Sequence, residues 1–182
     1  MQQSPVHVAL AKFARRMRET DLPYAVVGAM ALNGHGVRRA TVDIDVLLSG
    51  ASLRAFKERW LGLGYLDRFE GSRGVRDTET GVPIDFLISG GYPGDGLPKP
   101  VRFPDPIDVA EIVDGVALAR LDVLIELKLA SGLSAPDRLR DLADVLELIR
   151  VRGLPAEYAD RLDDSVREKY AELWHAAQSR TS

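Results

Sequence analysis

Residues 43–48 read Asp-Ile-Asp-Val-Leu-Leu, two acids bracketing one apolar residue at the head of an apolar run. On a strand, side chains alternate faces, so Ile44, Val46 and Leu48 would enter a core while Asp43 and Asp45 share the opposite face. Their Cα atoms would lie about 6.5–7 Å apart. Like charges that close repel unless water or a cation compensates. Hard divalent cations take oxygen ligands, and Mg²⁺ commonly combines one or two carboxylates with substrate phosphates. A strand edge whose acids only keep the protein soluble would carry the same tripeptide. A second apolar run, Val82-Pro83-Ile84-Asp85-Phe86-Leu87-Ile88, argues against that alternative. It contains one carboxylate, Asp85, which is costly to bury ionised without a partner. If the two strands pair, three carboxylates converge, the smallest set that serves a two-metal phosphoryl site.

The remaining elements follow from periodicity and punctuation. Ser4 and Pro5 open a helix to Glu19, with Val6, Leu10, Phe13 and Met17 as its apolar stripe. Tyr24 to Val27 reads as a short buried strand stopping at Gly28, and Ala29 to Leu32 as a helical turn. Val42 to Leu48 is the acid-bearing strand, followed by a helix from Leu53 to Leu61 capped by Ser49 or Ser52. Short strands are expected at 65–69, 74–76 and 82–88. Residues 89–106 are rich in glycine and proline and predict a long loop, usually functional or mobile in a compact domain. Asp114-Gly115 between apolar residues signals a hairpin. From Asp122 the chain reads as helical: 122–131, 136–150 ending at Gly153, and two helices after Pro155. The expected class is α+β, with a core over residues 1–120 and a helical part over 121–182 packed on it.

Composition narrows the chemistry. The 182 residues include no cysteine, which removes disulfides, thiolate zinc sites and a cysteine nucleophile. A net charge of −3 argues against a protein that coats nucleic acid by charge alone. No apolar run approaches the roughly 20 residues that span a bilayer. In MQQSPVHVALAKFARR the positive charge follows the apolar stretch, the reverse of a secretory signal, so a cytoplasmic protein without membrane association is expected. His7, His35 and His175 are too dispersed for a local metal motif, and His35 suits a structural role in the Gly34–Gly36 loop. Walker, dinucleotide and G-x-S-x-G patterns are all missing.

Nineteen of the 24 basic residues are arginine, so a lysine inside an apolar helix stands out. Lys128, in LIELKLASGL, has no acid at helical spacing to pair with. Its ammonium would suit a triphosphate, or it would snorkel from a buried helix. Arg38 and Arg39 precede the acidic strand and would meet phosphates or remain exposed loop arginines. Asp141 and Asp144 fall opposite the Leu139, Leu142, Leu146, Ile149 stripe and are expected to be solvated. Gly28, at a strand-to-helix turn fifteen residues before Asp43, marks a place where free backbone N–H groups meet an anion.

The stretch VVGAMALNGHGVRRATVDIDVLL resembles the minimal nucleotidyltransferases of the DNA polymerase β-like superfamily, and especially the AbiEii-type toxin branch. Those proteins tend to show a Gly-Gly or Gly-Ser turn, an HG, an Arg-x-Thr and then DID before an apolar strand. The resemblance covers residues 24–48, extends to 82–88, and reaches more loosely to Lys128 and Arg140-Asp141. It implies a mixed sheet flanked by helices and transfer of a nucleoside monophosphate from a nucleoside triphosphate to an acceptor hydroxyl. Two Mg²⁺ ions would be held by Asp43, Asp45 and Asp85, the catalytic residues. Gly28, Ala29, Arg39 and Lys128 would bind the nucleotide. The acceptor would be a tRNA end or a protein, and an antitoxin would be a partner. The chain departs from the pattern at Ala29, where relatives carry Gly or Ser, so a serine hydroxyl is absent and only the backbone N–H remains. A degenerate binding module and a two-metal nuclease are the alternative readings.

Overall fold

The computed structural model describes residues 4–179. A seven-stranded mixed sheet organises the chain, in the order β3-β4-β5-β2-β1-β7-β6. Its strands are β1 Ala25–Val27, β2 Ile44–Leu48, β3 Tyr65–Asp67, β4 Val75–Asp77, β5 Pro83–Ile88, β6 Ala110–Val113 and β7 Val116–Ala119. The helices are α1 Pro5–Glu19, α2 Gly28–Gly34, α3 Gly50–Trp60, α4 Pro106–Val109, α5 Leu121–Ser134, α6 Leu139–Arg152 and α7 Asp164–Gln178, with a 3-10 helix at Ala156–Arg161.

The period-two pattern of β2 and β5 divides the core into two layers. Ile44, Val46, Leu48, Ile84 and Phe86 face α1 and α3, where Phe13 packs against Phe56, Phe86 and Tyr24 at centroid distances of 5.4, 6.0 and 5.5 Å. Ala25, Val27, Leu47 and Ala119 face the other way, toward α2, α5 and α6. Because α5 buries residues on more than one face, Leu124, Ile125, Leu127 and Leu129 among them, it is suited to sit between the sheet and the outer helices. Close approach of α5 and α6 depends on Gly132, where a Cβ would stand 2.5 Å from Leu142 Cδ2. No helix among the described residues is long and apolar enough to cross a membrane.

Several boundaries differ from expectation. The acid-bearing strand starts at Ile44, not Val42; Val42 is 78% exposed, and Thr41 bends the chain by hydrogen bonding to Asp43. Ser4 occupies the N-cap of α1, but its hydroxyl engages His7 Nδ1 at 2.7 Å in place of a backbone N–H. After Pro136 a turn closed by Arg138 N–H to Ala135 C=O delays α6 to Leu139. The hairpin turns at Asp114 and Gly115, both at positive φ, as an Asp-Gly two-residue loop requires.

Candidate active site

β1 runs antiparallel to β2 with Val27 opposite Asp45, so the chain turns out of β1 directly over that carboxylate. Gly28 makes the turn at φ +61°, and a Cβ there would stand 2.1 Å from Asp45 Oδ2. On its other side β2 pairs in parallel with β5, placing Asp45 beside Asp85. Neighbouring strands lie about 4.7–4.9 Å apart, so the two carboxylates share one face at adjacent positions. Asp43 precedes the strand, its Oδ1 accepting from Thr41 Oγ1 at 2.5 Å. Asp85 is ion-paired with Arg68 from the turn between β3 and β4. Gly74 closes that turn, where a Cβ would come within 2.7 Å of Asp85 Oδ1 and 2.8 Å of the Ile84 carbonyl. Each of these two carboxylates is thus approached by backbone that only glycine permits.

Burial pushes the Asp45 carboxyl up to about 6, and the like charges of Asp43 and Asp85 push the same way against the opposing pull of Lys128. A cation at this place would relieve that repulsion, and three carboxylates offer the oxygen donors that a hard divalent ion prefers. Among the described residues no three acidic or imidazole side chains already converge on one point. Asp43 is turned to Thr41 and Asp85 to Arg68. The donor chemistry fits a divalent ion at Asp45 flanked by Asp43 and Asp85, with those two side chains reoriented.

Asp45 and Gly28 open onto a cleft of about 540 Å³. Its far wall is α5 and α6, contributing Leu124, Leu127, Lys128, Ser131, Arg138 and Asp141. The 89–106 loop closes one end with Tyr92, Pro93, Gly94 and Phe103, and Arg73 enters from the β3–β4 turn.

Neither a comparison with protein-family models nor one with curated proteins finds a match. Solved structures do align. A proposed nucleotidyltransferase from Helicobacter pylori superposes at TM-score 0.53 and 18% identity, covering 95% of this chain and 92% of the other. A proposed nucleotidyltransferase from Thermotoga maritima superposes at TM-score 0.52 and 17% identity, over 75% and 91%. This chain has a nucleotidyltransferase fold.

Within the nucleotidyltransferase fold, the residues singled out in the sequence fall in different places. Gly28, Asp45 and Lys128 line the cleft together; Ala29, Arg39, Asp43 and Asp85 are not among its lining residues. Lys128 is not unpaired: its Nζ donates to Asp141 Oδ1 at 2.9 Å and lies 2.8 Å from Asp144 Oδ2, both on α6. The expectation that Asp141 and Asp144 are solvated is corrected accordingly. Asp144 is 4% exposed and also holds Arg39 Nη2 at 3.4 Å, while Asp141 Oδ2 accepts from Ser131 Oγ at 2.7 Å. Arg39 is further fixed by Asn33, which exchanges two hydrogen bonds with its backbone. His35 is buried and structural, but its Nε2 lies 2.8 Å from the Ala119 carbonyl on β7 and so ties its loop to the sheet, where a role within the Gly34–Gly36 loop was expected. Arg73, Arg138, Tyr92 and Phe103 line the cleft without having been singled out. For the two aromatics the signal was the loop that carries them; for the arginines no local pattern distinguishes them.

Proposed function

We propose that the protein is a Mg²⁺-dependent nucleotidyltransferase, moving a nucleoside monophosphate from a nucleoside triphosphate to an acceptor hydroxyl. The observation that carries this reading is Asp45, crowded between Asp43 and Asp85 and pressed against Gly28 on the floor of a cleft that Lys128 enters. When bound, ions held by Asp43, Asp45 and Asp85 supply charge stabilisation for in-line displacement at phosphorus. Gly28 leaves room for the Asp45 carboxylate itself, and Gly28 and Ala29 contribute backbone N–H groups. Lys128, fixed by Asp141 and Asp144, sets the position of the phosphate chain, and Arg39 supports that network through Asp144. Asp85, once released from Arg68, accepts the proton of the acceptor hydroxyl as its oxygen bonds to the α-phosphorus and pyrophosphate leaves.

In this reading residues 1–120 are the catalytic core and 121–182 the helical part that completes the nucleotide wall. The acceptor is an RNA end or a protein side chain, in the cytoplasm, and the AbiEii-like stretch supports a toxin held in check by an antitoxin. Ala29 and the Arg68–Asp85 pair favour one other reading, a catalytically silent module that keeps the fold for binding.

Each α-labelled ribonucleoside triphosphate, incubated with the protein, Mg²⁺ and separate RNA and protein fractions, tests both. Label transferred to a macromolecule with stoichiometric pyrophosphate, lost in Asp45→Asn, supports the transferase. Acceptor cleavage without pyrophosphate indicates a nuclease. Nucleotide binding with no transfer to any fraction supports the silent module.

A further inference from the structure

Three cationic side chains line the cleft beside Asp45: Lys128, Arg138 and Arg73. Two already have partners. Lys128 lies between Asp141 and Asp144, and Arg138 donates to Ser131 Oγ at 3.3 Å with Asp141 Oδ2 at 3.9 Å. Arg73 takes part in no ion pair among the described residues. Asp85, against which the turn packs through Gly74, is taken by Arg68.

The turn that presents Arg73 is fixed on both sides of it. Ser72 is buried, its N–H donating to the Phe69 carbonyl and its own carbonyl accepting from Lys57 Nζ. Ser72 Oγ accepts from the Gly74 N–H at 3.1 Å, closing the turn around Arg73. Gly74 is buried against β5 at the Ile84 carbonyl. Between two buried anchors, Arg73 is the residue exposed to the cleft. A guanidinium presents planar paired donors that match phosphate oxygens, and its charge persists at any physiological pH.

We infer that Arg73 is a substrate-binding residue that grips the terminal phosphates of the nucleoside triphosphate, from the wall opposite Lys128. This rests on the nucleotidyltransferase reading of the cleft. It divides the work between the two cations. Lys128, neutralised by two carboxylates, acts as a fixed wall of the site; Arg73, with its charge uncompensated, senses the length of the phosphate chain. Preference for triphosphate over monophosphate therefore depends on Arg73.

The test is equilibrium binding, with no acceptor present, of the four ribonucleoside triphosphates, their monophosphates and inorganic pyrophosphate to the full chain in Mg²⁺. Wild type, Arg73→Ala and Arg73→Lys are compared. Loss of one charge-assisted contact weakens the best triphosphate and pyrophosphate on the order of tenfold. Monophosphate affinity stays within about twofold, and Arg73→Lys falls between wild type and Arg73→Ala. An unchanged ratio of triphosphate to monophosphate affinity in Arg73→Ala overturns the inference while leaving the transferase reading intact. So does an equal loss for both nucleotides, which marks Arg73 as a contact to base or ribose, or as a structural residue. Wild type that binds none of these ligands overturns the inference together with the reading on which it rests. Arg73-dependent binding without transfer activity upholds the inference and removes the transferase reading alone.

Discussion

Gly28 and Asp45 pack so tightly that a Cβ on Gly28 would stand 2.1 Å from Asp45 Oδ2, 3.0 Å from its Cγ and 3.1 Å from its Cβ. Three atoms of one side chain obstruct the space, so no small rotation of the carboxylate would clear it. The turn between β1 and α2 and the carboxylate on β2 form one unit.

Gly28→Ala should therefore act on the site more than on the fold. The positive φ adds about 1–2 kcal/mol of backbone strain, and the displaced Asp45 loses its position relative to Asp43 and Asp85. Transfer activity should fall by at least about a hundredfold, the scale of a misplaced reacting group. Urea unfolding should show a loss of only a few kcal/mol. An active Gly28→Ala enzyme would show that Asp45 does not need this position.

Asp45 makes stability depend on pH in a defined direction. Its carboxyl titrates near 6 in the folded chain, against an ordinary value of 3.8. Below about pH 4 it is protonated both folded and unfolded, and contributes no charge penalty. Between about 4 and 6 the unfolded chain ionises first, so folded stability is lost as pH rises, and the loss is complete above about 6. The gap of about two units corresponds to up to about 3 kcal/mol. Asp45→Asn should raise the unfolding free energy by up to that amount at pH 7.5, and by nearly nothing at pH 3.5. A divalent cation should narrow the difference at pH 7.5 by stabilising wild type. Equal stabilisation by the substitution at both pH values would contradict the crowded, buried carboxylate.

The face that Asp45 occupies was legible from alternation, because a strand carries its facing information in every second residue, but its place beside Asp85 was only conditional on the two strands pairing. Two apolar runs each interrupted by an acid suggested that pairing, and its parallel sense comes from the fold. The start of β2 was less legible, since Val42 has the composition of a strand residue and only the Thr41–Asp43 hydrogen bond turns it out to solvent. Lys128 could not be read correctly from its own helix. Its partners stand 13 and 16 positions later on α6, and contacts between helices leave no periodic trace in either one. Asp144 was misplaced for the same reason: a charged residue opposite an apolar stripe is solvated unless another helix covers it. Arg73 and Arg138 are ordinary arginines until the β3–β4 turn and the start of α6 bring them to the cleft, and Arg68 until that turn brings it to Asp85.

The Lys128 network should respond unequally to loss of its two acids. Asp144 is buried and serves both Lys128 and Arg39, whereas Asp141 is more exposed and shares Lys128 with Asp144. Removing one partner of a buried ion pair strands the other. Asp144→Ala should destabilise the chain by about 1–2 kcal/mol, because it takes one of two carboxylates from the buried Lys128 and the carboxylate paired with the partly exposed Arg39. Asp141→Ala should cost about half as much. Chemical denaturation of the two variants side by side would decide this, and equal losses would mean that Arg39 adds nothing to the network.

The 89–106 loop is a docked wall of the cleft, and its contact at Gly94 can be broken selectively. Gly94 has φ +79°, and a Cβ there would stand 2.1 Å from Ser134 Oγ and 3.0 Å from the backbone Cα of Ser131. The same Ser134 hydroxyl accepts from Asp95 N–H at 3.2 Å and donates to the Ser131 carbonyl at 2.6 Å. A methyl at position 94 therefore pushes against the rigid end of α5 while straining its own backbone. Gly94→Ala should lift the first half of the loop away from α5 and carry Tyr92 with it, leaving the sheet in place. Trypsin should then cut after Arg102, an exposed site within the loop, several-fold faster than in wild type. The denaturation midpoint should fall only modestly, since Val101 of the loop stays buried in the layer on the α5 side with Phe103 packed against it. Unchanged cleavage would mean that the Phe103 hydrogen bonds to Gly90 and Gly91 hold the loop without help from the Gly94 contact.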